Sequence, residues 1–173
     1  MQKNKIIIIA SIFIILVIFA FFSANGIFGV KENRLEKDAI ESQKIDETWL
    51  SAKDINGEMG ALLFYNKALD DHIFSIYLNR PGVSYGYFFS QGGHSSTIET
   101  GIKGFSYENY GMVLMSMNSK NVSEIKLINK ESIEIIQIDS SKPFVLLVPN
   151  NIEIVSLFDA YGNDVPIDNI ELY

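Results

Sequence analysis

HIFSIYLNRPGVSYGYFF, residues 72–89, places two apolar runs of strand period on either side of an Arg-Pro-Gly turn signal. Successive side chains of a strand point to opposite faces, so Val83, Tyr85, Tyr87 and Phe89 share one face and Ser84, Gly86, Phe88 and Ser90 the other. With Pro81-Gly82 as a two-residue loop, Leu78 pairs with Tyr85, Ile76 with Tyr87 and Phe74 with Phe89, which gathers the apolar side chains on one face. Pro-Gly is a type II signal and hairpins prefer primed turns, so a longer loop is the alternative. A slip of one residue would scatter the aromatics.

The same period continues on both sides. Gly60–Asn66 precedes this segment, and Tyr110–Met117, Val122–Ile128, Ile133–Ile138, Phe144–Val148, Ile152–Phe158 and Ile167–Leu172 follow it, with Asn, Ser, Lys, Pro and Gly clusters between them. About nine short strands with no helical period between them predict an all-β antiparallel sandwich with an immunoglobulin-like look and no assigned topology.

Upstream the character changes twice. Residues 31–50, KENRLEKDAIESQKIDETWL, are charged, with apolar positions at Leu35, Ala39, Ile45 and Trp49, two pairs spaced i, i+4. This predicts a short charged juxtamembrane helix with a narrow apolar stripe; a solvated stalk is the alternative. Trp49 is expected to dock it onto the β domain, and Asp54-Ile55-Asn56-Gly57 to break it.

Residues 6–24, IIIIASIFIILVIFAFFSA, carry no charge. As a helix they would span about 28 Å, close to the roughly 30 Å of a bilayer core, which predicts one transmembrane helix. The expected organisation is a cytoplasmic tail over 1–5, a signal-anchor over 6–24, a stalk or helix over 25–57 and an extracytoplasmic β domain over 58–173. Cleavage after Gly26, which would release a secreted domain, is the alternative, because Ala24-Asn25-Gly26 loosely fits a signal-peptide cut. A long domain translocates largely regardless of its charge, so the N-terminus is expected in the cytoplasm and the domain outside.

Removing Lys3 and Lys5 from the 14 basic residues leaves 12 in residues 31–173 against 21 acids, a net charge of −9. That balance argues against nucleic acid as a partner, and against an anionic membrane surface, since both need clustered cations. With no cysteine there is no disulfide, thiolate metal site or cysteine nucleophile. The layout of basic tail, hydrophobic span and cysteine-free domain resembles that of the many small anchored exported proteins of Gram-positive bacteria.

Gly92-Gly93-His94-Ser95-Ser96 invites a catalytic reading, since a glycine-rich loop there presents a histidine beside serines. Sequence neighbours do not make a nucleophile–base pair, and the chain has no G-x-S-x-G elbow, so a plain loop is preferred. His72 and His94 are the only histidines and lie in no metal-binding run, while Asp159, Asn163 and Asp164 lack calcium-loop spacing. No catalytic, cofactor or metal residue is assigned. The candidate interaction surface is Tyr85, Tyr87, Phe88 and His94. The expected function is a membrane-anchored, non-enzymatic binding module at the cell surface, with the lipid bilayer contacted through 6–24 and a protein or cell-wall component as ligand. The alternatives are an exported hydrolase using the Gly92–Ser96 loop and an inhibitor or immunity-type protein.

Overall fold

The computed structural model describes residues 2–24, 27–80 and 85–173, with side chains described from Ser11 to Phe22 in the first helix and throughout the later two ranges. Helix α1 covers Gln2–Ala24. A single 3-10 turn, Glu32–Arg34, leads into α2, Leu35–Gln43. Strands β1 (Leu50–Ile55), β2 (Met59–Tyr65), β3 (His72–Asn79) and β4 (Tyr87–Gly93) follow, then the short helix α3, Ser96–Thr100. The chain continues through β5 (Lys103–Tyr107), β6 (Gly111–Ser116), β7 (Val122–Ile128), β8 (Ile133–Gln137) and β9 (Phe144–Val148). It closes with β10 (Ile154–Asp159), β11 (Asp164–Val165) and β12 (Asn169–Leu172).

The expected two-sheet sandwich is replaced by three four-stranded sheets, ordered β1-β2-β3-β4, β12-β5-β6-β9 and β11-β10-β7-β8. Side-chain parity shows how they stack. From the middle sheet, Val113, Met115, Val145 and Leu147 join Met59, Ala61, Leu63, Phe74 and Ile76 of the first sheet in one core. The intervening residues Leu114, Phe144, Leu146 and Val148 join Ile125, Leu127, Leu157 and Val165 of the third sheet in another. The middle sheet is therefore covered on both faces. This is why β9 reads Phe-Val-Leu-Leu-Val without a polar residue, and all five are buried. Nor is the arrangement purely antiparallel, because β12 pairs in parallel with β5.

On the far side of the first sheet, α2 buries Leu35 and Ala39, with Ile45 just beyond it, against Leu62, Phe64, Tyr77 and Tyr87; Trp49 packs at the margin. The layers thus run α2, first sheet, middle sheet, third sheet. Strand β2 is buried along its whole length because it meets α2 with one parity and the middle sheet with the other. The Tyr77 hydroxyl donates to Asp38 of α2 at 2.8 Å, and burial together with that carboxylate pushes the phenol pKa well up. Strand β1 lies within residues read as stalk, yet it forms an edge of the first sheet, and the Asn56 side chain closes its turn into β2 by accepting the Glu58 and Met59 N–H groups.

The expected transmembrane helix needs correction. Among the described residues no helix is long and apolar enough to cross a membrane. The side chains described in α1, Ser11–Phe22, span about 18 Å of helix against a bilayer core of roughly 30 Å. The side chains of 6–10, 23 and 24, on which the expectation also leaned, lie outside the described residues.

The hairpin register also differs. Leu78 faces Phe88, Tyr77 faces Phe89, Ile76 faces Gln91 and Phe74 faces Gly93, with a bulge opposite Ile76/Tyr77. Two causes combine. The connection is longer than Pro81-Gly82, residues that fall with 83 and 84 outside the described ones, and Tyr85–Tyr87 pair instead with the segment following α1. Gly29 N donates to Tyr85 O at 2.6 Å, while Val30 and Tyr87 exchange backbone bonds at 2.7 and 2.8 Å. At this crossing a Cβ on Gly86, where φ is +89°, would sit 2.6 Å from the Val30 carbonyl oxygen, so glycine is required. The outcome is a change of parity: Tyr87 and Phe89 lie on the α2 side with Tyr77, not with Phe74 and Ile76.

Candidate functional site

The four residues singled out in the sequence do not form one surface. Tyr85 is 68% exposed and stacks at 6.4 Å on Phe28, which stacks in turn at 5.8 Å on Phe19 of α1. Tyr87 is buried against α2, its hydroxyl donating to the Asn56 carbonyl. Phe88 is half-buried on the opposite face, with the Arg80 guanidinium 4.5 Å from its ring centre. His94 is exposed at the other end of β4.

That end brings together residues far apart in sequence. Because Phe74 faces Gly93, the antiparallel register sets His72, at the start of β3, beside His94, just past the end of β4, with ring centres 5.5 Å apart. His72 is buried and its Nε2 accepts the Ser95 N–H at 3.3 Å, which fixes that nitrogen as the unprotonated one. His94 Nδ1 lies 3.5 Å from Asp71 Oδ1. The Gly92–Ser96 segment, expected as a plain loop, is the end of β4 running into α3, anchored by buried Ile98.

Among the described residues neither the Ser95 nor the Ser96 hydroxyl is hydrogen-bonded to His94, and no group of three His, Asp or Glu side chains could hold a metal ion. The turn at Asp159 uses its carboxylate to accept the Tyr161 and Asn163 backbone N–H groups and the Asn163 side-chain amide. The side-chain bond from Asn163 leads in holding its pKa below the ordinary range.

The His72 arrangement predicts an acid response. Burial, then the neighbouring His94, depress its pKa below the ordinary 6.5. The unfolded chain thus takes up a proton before the folded one, and stability falls as pH drops from about 6.5 through the depressed folded value. The contribution is complete above 6.5. Urea unfolding at pH 7.5 and 5.5 should show a larger loss for wild type than for His72→Gln; equal losses would refute the assignment.

Two further surfaces stand at the ends of the layer stack. Next to the α1 junction, Gly29, Val30, Lys31, Arg34, Lys37, Asp38 and Glu41 line an open hollow of about 700 Å³. At the opposite end, the outer face of the third sheet is uncovered. The register sets Ile154, Ile128 and Ile133 side by side across β10, β7 and β8, with Ile135 two residues along β8. Ile133, Ile135 and Ile154 are 64, 53 and 53% exposed. Around them run Glu124, Gln137, Lys126 and Phe158: Gln137 donates to Glu124 at 3.0 Å, and Lys126 pairs with Glu124 at 3.2 Å while lying 4.4 Å over the Phe158 ring.

Sequence reasoning passed over this isoleucine face. Its signal was present in Ile133-Glu134-Ile135-Ile136-Gln137-Ile138, where both parities are apolar, so one set had to remain outside when Ile136 and Ile138 packed inward. No protein-family model, curated protein or solved structure matches the chain.

Proposed function

We propose that this chain is a non-enzymatic binding module, associated with the cell membrane through the apolar surface of α1, that engages a protein partner on the outer face of the third sheet. The observation that carries the reading is the contiguous patch of Ile128, Ile133, Ile135 and Ile154, with its polar rim. Single exposed apolar residues are ordinary; a patch of branched aliphatics across three strands, bordered by ion-paired and amide side chains, has the anatomy of a protein–protein contact. Binding is preferred to hydrolysis because His72 Nε2 is already committed to the Ser95 N–H and, among the described residues, no hydroxyl is hydrogen-bonded to His94.

The test is site-specific photocrosslinking of the full chain in its own cells, from position 135 and, as a control, from Tyr161, a turn residue 89% exposed. A discrete protein adduct from position 135, absent from position 161 and lost on Ile133→Asp with Ile154→Asp, is expected. The same adducts from both positions, or none from 135, would overturn the reading. A ladder of glycan-bearing adducts would replace the protein partner by a cell-wall polymer.

A further inference from the structure

Residues 31–41 carry three cations among four acids, and all three cations line one hollow. Lys31, just before the 3-10 turn, Arg34 at its end and Lys37 in the first turn of α2 are all exposed on the wall of the hollow beside the α1 junction. Because all three line the same hollow, the three cations present a single array. Among the described residues neither Lys31 nor Arg34 has an ion-pair partner. Lys37 is 3.5 Å from Glu41 with both side chains open to water, an exposed pair of little energetic consequence. The other acid lining the hollow, Asp38, accepts the Tyr77 hydroxyl and is turned to that bond.

The second observation is where the array sits. It begins seven residues after the last residue of α1, a helix whose described side chains Ile12–Phe19, Phe21 and Phe22 are exposed apolar groups. Between helix and cations stand the exposed, stacked rings of Phe28 and Tyr85, and Phe28 stacks in turn on Phe19 of the helix. The order along the surface is therefore apolar, aromatic, cationic. A lipid leaflet presents matching zones in the same order: acyl chains, the interfacial layer that aromatic rings favour, and the headgroup phosphates.

We infer that the folded domain itself docks on anionic lipid headgroups, with Lys31, Arg34 and Lys37 contacting the phosphates and Phe28 and Tyr85 lying in the interfacial layer. Arginine offers a planar fork of donors that fits a phosphate, and the lysines add point charge beside it. The orientation that follows places α2 toward the lipid and the third sheet, at the other end of the stack, away from it. The inference rests on the proposed lipid contact of α1, and the experiment separates the two.

Purified full chain is mixed with phosphatidylcholine vesicles, or with vesicles in which one quarter of the lipid is phosphatidylglycerol, and the bound fraction is measured by flotation at low and at high salt. Binding about tenfold tighter to the phosphatidylglycerol vesicles at low salt is expected, with the difference erased at high salt and in Lys31→Gln/Arg34→Gln/Lys37→Gln, whose fold is checked by circular dichroism. Equal wild-type binding to both vesicles overturns the headgroup inference alone. A preference that survives in the triple variant overturns it too, since it would arise elsewhere, Lys3 and Lys5 included. Failure to float with either vesicle removes the lipid contact of α1 and the inference with it.

Discussion

Gly111→Ala is expected to cost the fold about 3 kcal/mol or more, for two reasons that act together. Gly111 opens β6 at φ +110°, a conformation that L side chains rarely adopt, and a Cβ built there would stand 2.2 Å from the Val148 carbonyl oxygen. Neither partner can yield cheaply. Val148 lies in the β6–β9 ladder of the middle sheet, opposite Met112, and that sheet is clamped between two others. In a chain of this length the melting temperature should fall by roughly 6–12 °C. A loss below about 1 kcal/mol in urea titration would mean that the middle sheet is not held as described.

Phe105→Ala should be comparably severe, about 3–5 kcal/mol. Phe105 is fully buried on β5, its ring centre 4.9 Å from that of Phe74 across the interface between the first and middle sheets. Its removal opens a cavity in a core lined from both sides by strands that cannot collapse inward without breaking their ladders. The Lys103 ammonium, 4.9 Å from the ring centre and 2.7 Å from Glu171 of β12, loses its aromatic partner as well. Phe105→Leu keeps most of the volume and should cost less than half as much, so the pair of denaturation curves separates a cavity from a general disturbance. Equal and small effects would place Phe105 outside the core.

These expectations come from layers that were partly legible beforehand. Continuous apolar runs such as Phe144–Val148 announce strands buried on both faces, and Leu35, Ala39 and Ile45 announce the stripe by which α2 docks. What periodicity does not encode is which two sheets cover a strand, and a two-layer sandwich is the simplest arrangement that satisfies the same alternation. The candidate site was less legible, for a physical reason that can be located. The longer connection pairs Asn79 with Tyr87, an odd shift from the expected register, so Tyr87 turns to α2 and is lost from the expected surface, and a bulge opposite Ile76/Tyr77 then sets Phe74 against Gly93. The same register brings His94 to His72, a proximity fixed by pairing distance along β3 and β4 and invisible in a gap of 22 positions. In β8 both parities are isoleucine, and only packing decides that Ile133 and Ile135 stay in water.

The parallel pairing of β12 with β5 bears on how the protein emerges during synthesis. In the order β12-β5-β6-β9, strand β5 has β6 on one side at once, but its other edge waits for residues 169–172, made after the other described strands. Until then the nascent middle sheet presents an open row of backbone donors and acceptors flanked by Phe105 and Tyr107, the kind of edge on which chains pair wrongly. Strand β12 therefore serves as a seal, and a chain interrupted before residue 169 would leave that edge bare for another molecule to occupy.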